Sequence, residues 1–195
     1  MEILDDMNIP YSLNYKKSNR IKLEVNENGL LISGNIKNNK IIEEFISKKK
    51  YWIKNNWKKY ELTFGKYLYL GKDDESLNSL DKEKLKNFYY NETKRIVNGL
   101  VEIYNENNKY NIKNIRIKNQ KTRWGSCSSI GNLNFNWKLS MAPYEVIEYV
   151  VIHELCHRLE MNHSNNFWRY VKELCPNYKQ HSKWLSDNHF RLNLI

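Results

Sequence analysis

The sequence predicts an α+β fold in which a small β-rich N-terminal portion precedes a larger portion built from helices and a small sheet. Apolar residues alternate with polar ones near residues 20–36 and 133–139, which is typical of half-buried strands. Elsewhere, apolar residues recur three or four positions apart, as they do in amphipathic helices. At 195 residues the chain suits one domain with an appendage, and we expect the division at residues 1–80 and 81–195.

The N-terminal portion is predicted to contain a hairpin followed by a helix. Within residues 20–36, apolar residues alternate with polar ones, and Asn28-Gly29 is the strongest short hairpin signal in the chain. Residues 39–60 then change to helical spacing. Residues 62–70 are predicted to be another strand, and the acidic segment 71–80 a linker or exposed loop.

The second portion is predicted to begin with a long helix. Asp81 can cap its N-terminus, and apolar spacing continues to about Glu106. A short strand is predicted from Asn114, and residues 130–132 are predicted to form a turn.

Residues 133–139 are predicted to be a half-buried strand. One face would carry Leu133, Phe135, Trp137 and Leu139, and the other Asn134, Asn136 and Lys138.

Two helices are predicted to follow this strand. Pro143 suits the first turn of a helix that we expect to run to Met161, with Val146, Val150 and Leu159 in its buried stripe. Ser164 can cap the next helix, which Pro176 closes.

Composition limits the class of protein. No stretch of about 18 apolar residues occurs, so no membrane span is expected. The acidic N-terminus does not resemble a secretory signal. Three cysteines form neither a disulfide framework nor a zinc ribbon, and reduced thiols indicate a cytoplasmic protein.

The net charge is +10, with +5 over residues 1–60 and +6 over residues 111–195. A basic chain can attract nucleic acid or nucleotides. Lysines spread over solvated faces would explain the same excess.

Residues 150–168 contain a pattern that is typical of a metal site. His153 and His157 are four residues apart, so both imidazoles lie on one face of a helix and can bind one ion. Glu154 is displaced by about 100° around the helix, where a carboxylate can reach a water on that ion. Although such a motif also arises by chance, a glutamate among apolar residues is costly without a task or partner.

A catalytic zinc site needs a third protein ligand, for which His163 is the candidate. On an unbroken helix, this side chain would point about 240° away from His157. We therefore expect the helix to end first, with Asn162 in the left-handed conformation. Metzincins share the spacing, but they place glycine where this chain has Glu160. His181 and His189 lack such spacing and are predicted to be surface or supporting residues.

The segments RWGSC (123–127), YVVIHELCH (149–157) and NHSNNFW (162–168) together resemble the YgjP-like metallopeptidase family, which is related to the SprT-like and WLM zincins. The resemblance implies a zincin-like part with an active-site helix and a small antiparallel sheet. It also implies a protein or peptide substrate and one Zn²⁺ per chain. The ligands would be His153, His157 and His163, with Glu154 as the catalytic acid/base.

Two further roles follow from the chemistry of peptide hydrolysis. Arg123 is a candidate for stabilising the oxyanion, although a structural salt bridge would explain it equally. The edge of strand 133–139 is a candidate for pairing with an extended peptide.

Three other hypotheses compete with a peptidase. A metal-dependent hydrolase of nucleotide phosphoanhydrides or nucleic acid is suggested by five cations without an acid in residues 113–123, which are Lys113, Arg116, Lys118, Lys121 and Arg123. A peptidase that binds nucleic acid through its basic ends is the second. A binding module without activity is the third, but the intact histidines and Glu154 do not favour it.

Overall fold

The computed structural model describes residues 2–18, 20–26, 28–35, 39–63, 65–189 and 191–193. The chain forms two compact units, residues 1–65 and 66–193. Both contain helices and strands, which confirms the predicted α+β class. By its contacts, the segment 66–80 belongs to the second unit. The predicted domain boundary after residue 80 stays a prediction. In the described part of the chain, no helix combines the length and apolar character that a bilayer crossing requires.

The first unit packs a helix on a three-stranded sheet. Its elements are α1 (Glu2–Asp5), β1 (Tyr11–Tyr15), β2 (Lys22–Asn26), β3 (Gly29–Gly34) and α2 (Asn39–Thr63). The central strand β3 is parallel to β1 and antiparallel to β2.

The predicted hairpin is confirmed, because Asn26 pairs with Gly29 across β2 and β3. Glu27, in its turn, lies outside the described residues. Gly29 has a φ of +107°, and a Cβ there would lie 2.0 Å from the carbonyl oxygen of Pro10. Only glycine fits this position without moving the backbone.

Helix α2 confirms the helix predicted over residues 39–60. Ile42, Ile46 and Ile53 are fully buried, since they lie on one face of the helix and pack into a core with Leu30 and Ile32 of β3.

The second unit holds most of the helices. Its strands are β4 (Leu68–Tyr69), β5 (Lys72–Asp73), β6 (Asn114–Lys118), β7 (Gly125–Cys127) and β8 (Asn132–Asn136). Its α-helices are α3 (Lys82–Tyr104), α4 (Tyr144–Cys156), α5 (Asn165–Leu174) and α6 (Tyr178–Asn188). Short 3₁₀ helices cover Glu75–Ser79, Glu106–Asn108, Leu139–Met141 and Arg191–Asn193.

The predictions for residues 62–80 are wrong in detail. Leu62 and Thr63 end α2, Phe64 lies outside the described residues, and only Leu68–Tyr69 is a strand. The segment 71–80 contains β5 and a 3₁₀ helix with a buried Leu77. Its amides are paired with acceptors both near and distant in sequence: Leu77 donates to the Asp74 carbonyl oxygen, and Gly71 donates to that of Met141. Composition alone does not reveal this pairing.

Helix α3 is confirmed, and Asp81 caps it by accepting a hydrogen bond of 2.9 Å from the Lys84 amide. In the middle of this helix, Thr93 donates through Oγ1 to the carbonyl oxygen of Trp137 at 2.8 Å. This buried contact ties α3 to the chain that follows β8.

The three-stranded sheet has the order β6-β8-β7. Strand β7 runs antiparallel to β8, but β6 runs parallel to it, so the sheet is mixed rather than antiparallel as predicted. The difference arises because the chain leaves β6, passes to the far edge as β7 and returns through the centre as β8. Strand pairing of this kind depends on contacts distant in sequence.

Strand β8 ends at Asn136, three residues before the predicted end. Leu133 and Phe135 are fully buried as predicted, but Asn136 and Lys138, predicted on the polar face, are buried too. Asn136 satisfies its amide by donating to the carbonyl oxygens of Gln120 at 2.7 Å and Arg123 at 3.2 Å. Burial lowers the pKa of Lys138 to about 8.

Helix α4 is shorter than predicted. Pro143 is the N-cap residue rather than part of the first turn, and the helix ends at Cys156 rather than Met161. Val146 and Val150 are buried, whereas Leu159 is 45% exposed because the helix has already ended. Ser164 caps α5 as predicted, since Oγ accepts from the Phe167 amide at 3.3 Å.

We predict that Lys138→Met shows how the buried ammonium group couples stability to pH. Lysine has an ordinary pKa of 10.5, so below pH 8 the ammonium group is charged in both the folded and the unfolded state, and above pH 10.5 it is neutral in both. Across this interval, the unfolding free energy of the native protein should rise relative to the variant by at most about 3 kcal/mol. Urea unfolding at several pH values measures it. The exposed Lys86→Met serves as control, and a constant difference for Lys138→Met would contradict the prediction.

Candidate metal centre

The three histidines predicted as ligands converge in the second unit. His153 and His157 lie at the C-terminal end of α4, and His163 lies beyond it. One ring nitrogen of each lies within 4.8 Å of the others, and the Nε2 atoms of His153 and His163 are 3.1 Å apart. On a continuous helix, His163 would lie more than one and a half turns beyond His157. The structure instead brings its side chain back to the other two.

The reversal that brings His163 back differs from the predicted one. His157 caps α4, and the Glu160 amide donates to the Cys156 carbonyl oxygen at 3.0 Å within the following turn. Asn162 does not have a positive φ. Its Oδ1 accepts from the Ser164 amide at 2.9 Å, so Asn162 organises the start of α5 instead of ending α4.

Aromatic side chains from α5 hold the three imidazoles. Phe167 is fully buried, and its ring centroid lies 4.5 Å from that of His157, 4.9 Å from His153 and 4.8 Å from His163. Trp168 lies 5.7 Å from His163 and stacks on Tyr178. Packing on several sides restricts the ring rotamers, which is what a preorganised ligand set requires.

Hydrogen bonding orients one of the three rings. His157 Nδ1 lies 3.2 Å from the carbonyl oxygen of Glu160, which accepts when that nitrogen carries the proton. Its Nε2 is then the basic nitrogen. His153 Nδ1 is buried and has no hydrogen-bond partner among the described residues.

Burial also favours the ligand form of these side chains. The pKa of His153 is lowered to about 3, first by burial and then by the neighbouring His157 and His163. The pKa of His157 is lowered by burial as well. Neutral imidazoles keep the lone pairs that bind metals.

One pair of donor nitrogens has the spacing expected of a tetrahedral zinc site. Two nitrogens bound at about 2.05 Å to a tetrahedral ion lie roughly 3.3 Å apart, close to the separation of His153 and His163. A set of three imidazoles without a carboxylate favours zinc over magnesium or calcium.

Glu154 lies beside this cluster and faces β7. It is buried, and burial raises its pKa to about 8, while the nearby Arg123 acts in the opposite direction. Gly125 packs directly against it, because a Cβ at Gly125 would lie 2.6 Å from Glu154 Oε1 and 2.7 Å from its Cγ. The observed position of the Glu154 carboxyl group therefore requires glycine at position 125.

A cleft of about 830 Å³ opens over the histidines. It is lined by Arg123 and β7 on one side, by α4, and by Ser182, Leu185 and Ser186 of α6 with His189 just beyond that helix. Arg123 thus lines the cleft, as a residue that stabilises the oxyanion must. The carbonyl oxygens of Arg123 and Trp124 are bound to Asn136, which fixes this segment.

The strand edge proposed for peptide binding needs correction. Strand β8, within the predicted strand 133–139, is central and paired on both sides. The edge strand along the cleft is β7.

The basic residues before the cleft do not gather at the histidines. Arg116 and Lys118 lie on β6, at the opposite edge of the sheet, where they line a separate cavity of about 310 Å³ with Lys94. Strand β8 separates β6 from β7, a distance of roughly 9.5 Å. Of the five cations in residues 113–123, Arg123 lines the cleft.

Two residues of the cleft, Tyr149 and Gly125, have no role in the site predicted from the sequence. Tyr149 is buried one turn before His153, with ring centroids 5.9 Å apart, and its four-residue spacing could have found it. Gly125 lies in the segment RWGSC but was given no role, since it meets Glu154 only through tertiary packing. His189, predicted to be a surface or supporting residue, is exposed and lines the cleft. The ring of His189 lies 6.2 Å from that of Trp124.

Comparisons with known proteins identify a family and two similar solved structures. The family described as YgjP-like, metallopeptidase domain, matches residues 62–188. The metallopeptidase zymogen abylysin of Pyrococcus abyssi is similar at 21% identity, with a TM-score of 0.41 over 50% of this chain and 95% of abylysin. Jannalysin of Methanocaldococcus jannaschii, also a metallopeptidase zymogen, is similar at 26% identity, with a TM-score of 0.37 over 49% and 95% of the two chains. No curated protein matches significantly. Because the family match spans well over half of the sequence, the chain belongs to the YgjP-like metallopeptidase family.

Proposed function

We propose that this chain is a zinc-dependent peptidase in which His153, His157 and His163 hold one Zn²⁺ and Glu154 is the general base. The observation that carries the proposal is the convergence of three imidazoles beside a buried carboxyl group in an open cleft. Membership of a metallopeptidase family supports the same reaction class. The substrate would be an extended segment of protein or peptide.

The ion and Glu154 would share the chemistry. A bound zinc ion supplies a Lewis acid that polarises the scissile carbonyl group and makes water easier to deprotonate near pH 7. Glu154 takes one proton from the attacking water and returns it to the leaving nitrogen as the C–N bond breaks. Burial raises the pKa of this carboxyl group in the protein without the ion, while the positive charge of a bound ion would lower it, so that the group can accept and then donate a proton.

Two neighbouring groups would position the substrate. The exposed edge of β7 offers backbone hydrogen bonds to an extended peptide, so the proposed pairing moves from the predicted strand 133–139 to β7. Arg123, which lies on the same side of the cleft as β7, would bind the carbonyl oxygen of the substrate as that oxygen gains negative charge.

The phosphoanhydride hypothesis has less support. Its phosphate clamp would need Arg116 and Lys118 near the histidines, but both lie on β6. The imidazole donor set also differs from the carboxylates that bind magnesium in phosphate chemistry. The cytoplasmic location inferred from composition stays a prediction.

We predict that the purified protein binds about one zinc per chain and that His157→Ala loses it, because two imidazoles alone do not complete the site. Metal analysis after dialysis against zinc-free buffer measures the stoichiometry. His181→Ala is the matched control and should retain zinc, since His181 is outside the cluster. Equal zinc in the native protein and His157→Ala would show that the ligand assignment is wrong.

We predict that Glu154→Gln retains zinc but lowers peptide hydrolysis by about 100- to 10,000-fold, since the amide cannot accept the proton. The assay compares an unfolded protein, nucleoside triphosphates and single-stranded DNA as substrates. Glu145→Gln, an exposed position on the same helix, is the control. Phosphate release that depends on Glu154, without proteolysis, would favour the phosphoanhydride hypothesis instead.

We predict that Gly125→Ala displaces the Glu154 carboxyl group and lowers kcat by about 100-fold while zinc binding is unchanged. Peptide hydrolysis and metal content are measured in parallel. Gly99→Ala is the matched control, because a Cβ there meets nothing within 4 Å. Full activity in Gly125→Ala would contradict the positioning role of this glycine.

A further inference from the structure

A second feature of the chain lies on α2, far along the sequence from the histidines. Residues 48–59 contain six lysines and no acidic residue, and we call their solvent-facing side the basic face. Residues 1–60 hold twelve basic and seven acidic residues, a net +5, so these twelve residues carry more positive charge than the whole segment. The charge is concentrated here rather than spread evenly over solvated surface. The lysines are Lys48, Lys49, Lys50, Lys54, Lys58 and Lys59.

Large aromatic side chains stand among these lysines. All six lysines are exposed, as are Tyr51 at 81% and Trp52 at 42%. Trp57 differs, because it stacks on Tyr60 at 5.5 Å and packs against the core of the first unit. Packing within the unit therefore accounts for the aromatic side chain of Trp57, but not for the exposed side chains of Tyr51 and Trp52.

Helix geometry arranges the side chains of the basic face in stripes. Lys50, Lys54 and Lys58 follow one another at four-residue intervals, so their Cβ atoms are about 6 Å apart. Lys48 and Trp52 form a second row, about 140° around the helix from the first, and Tyr51 lies between the two rows. The basic face is about 16 Å long, which corresponds to roughly five phosphates at the axial spacing of a B-form strand.

The rest of the helix decides which polyanion fits. An amphipathic helix enters a membrane with its apolar face, but Ile42, Ile46 and Ile53 are fully buried in the unit's own core. Lysines alone would suit any phosphate surface, whereas exposed aromatic rings suit unpaired bases, which stack on them. These observations favour single-stranded nucleic acid over a lipid surface.

We infer that the basic face of α2 binds single-stranded nucleic acid, with lysines on the phosphates and with Tyr51 and Trp52 stacking on bases. This binding site goes beyond the proposed peptide hydrolysis and does not rest on it. If both exist, hydrolysis would be directed to proteins that accompany exposed single strands.

The experiment uses the full chain and fluorescein-labelled strands of about 20 nucleotides, oligo(dT) and oligo(rU), in anisotropy titrations at several salt concentrations. Duplex DNA of the same length and phosphatidylcholine–phosphatidylserine vesicles are measured beside them. We expect at least one of the two single strands to bind more tightly than the duplex, and the vesicles to bind weakly. A preference between oligo(dT) and oligo(rU) would identify DNA or RNA as the source.

Two sets of variants separate charge from stacking. Lys50→Gln, Lys54→Gln and Lys58→Gln combined should weaken binding more than tenfold at low salt and reduce the slope of log affinity against log salt by about 2. Tyr51→Ala combined with Trp52→Ala should weaken binding about tenfold and leave that slope unchanged. Alanine and glutamine favour helix, so α2 should stay folded, which circular dichroism checks.

The control has the same change in charge elsewhere: Lys86→Gln, Lys172→Gln and Lys179→Gln combined, all exposed and all in the second unit. This control should bind nearly as tightly as the native protein. His157→Ala should also bind normally, so a failure of the zinc proposal would leave this result intact.

Several outcomes would overturn the inference. An equal loss of affinity in the control and in the α2 lysine variant would show that binding depends only on net charge. Equal binding of duplex and single strands, with no effect of the aromatic variant, would exclude stacking. Binding to vesicles alone, or to none of the probes, would exclude nucleic acid at this face.

Discussion

The early end of helix α4 is the constraint on which the candidate site depends. His153 and His157 share a face of the helix, but His163 could not approach them if the helix continued. Because α4 ends at Cys156, the chain turns back, and Ser164 then starts α5 with its hydroxyl group. Helix α5 in turn places Phe167 against all three imidazoles. One short turn therefore creates both the ligand set and the packing that holds it.

The mixed sheet supplies the other half of the site. Because β8 is central, β7 becomes an edge strand that lies along the cleft, and β6 is kept at the far side. Gly125 of β7 lets the backbone approach Glu154 more closely than any side chain would allow. The same arrangement takes Arg116 and Lys118 away from the histidines. The sheet order thus distinguishes a wall suited to an extended peptide from a basic edge unconnected with the metal centre.

Helix α2 shows how one element can carry two separate properties. Its residues Ile42, Ile46 and Ile53 lie on one face of the helix and are buried in the core of the first unit. Its remaining surface combines clustered lysines with Tyr51 and Trp52 exposed to solvent. Neither property needs the histidine cluster, so the stability of the unit, the proposed binding surface and the proposed metal centre can be examined independently.

The sequence by itself determined the α+β class, the hairpin pairing of β2 with β3, helices α2 and α3, and the histidine spacing, because each depends on neighbours a few residues apart. Asp81 and Ser164 were predicted as caps for the same reason. Tertiary structure decided the rest. The parallel pairing of β6, the burial of Lys138 and the contact between Gly125 and Glu154 join residues that are distant in sequence, and no local pattern of polarity records which distant segments will pack together.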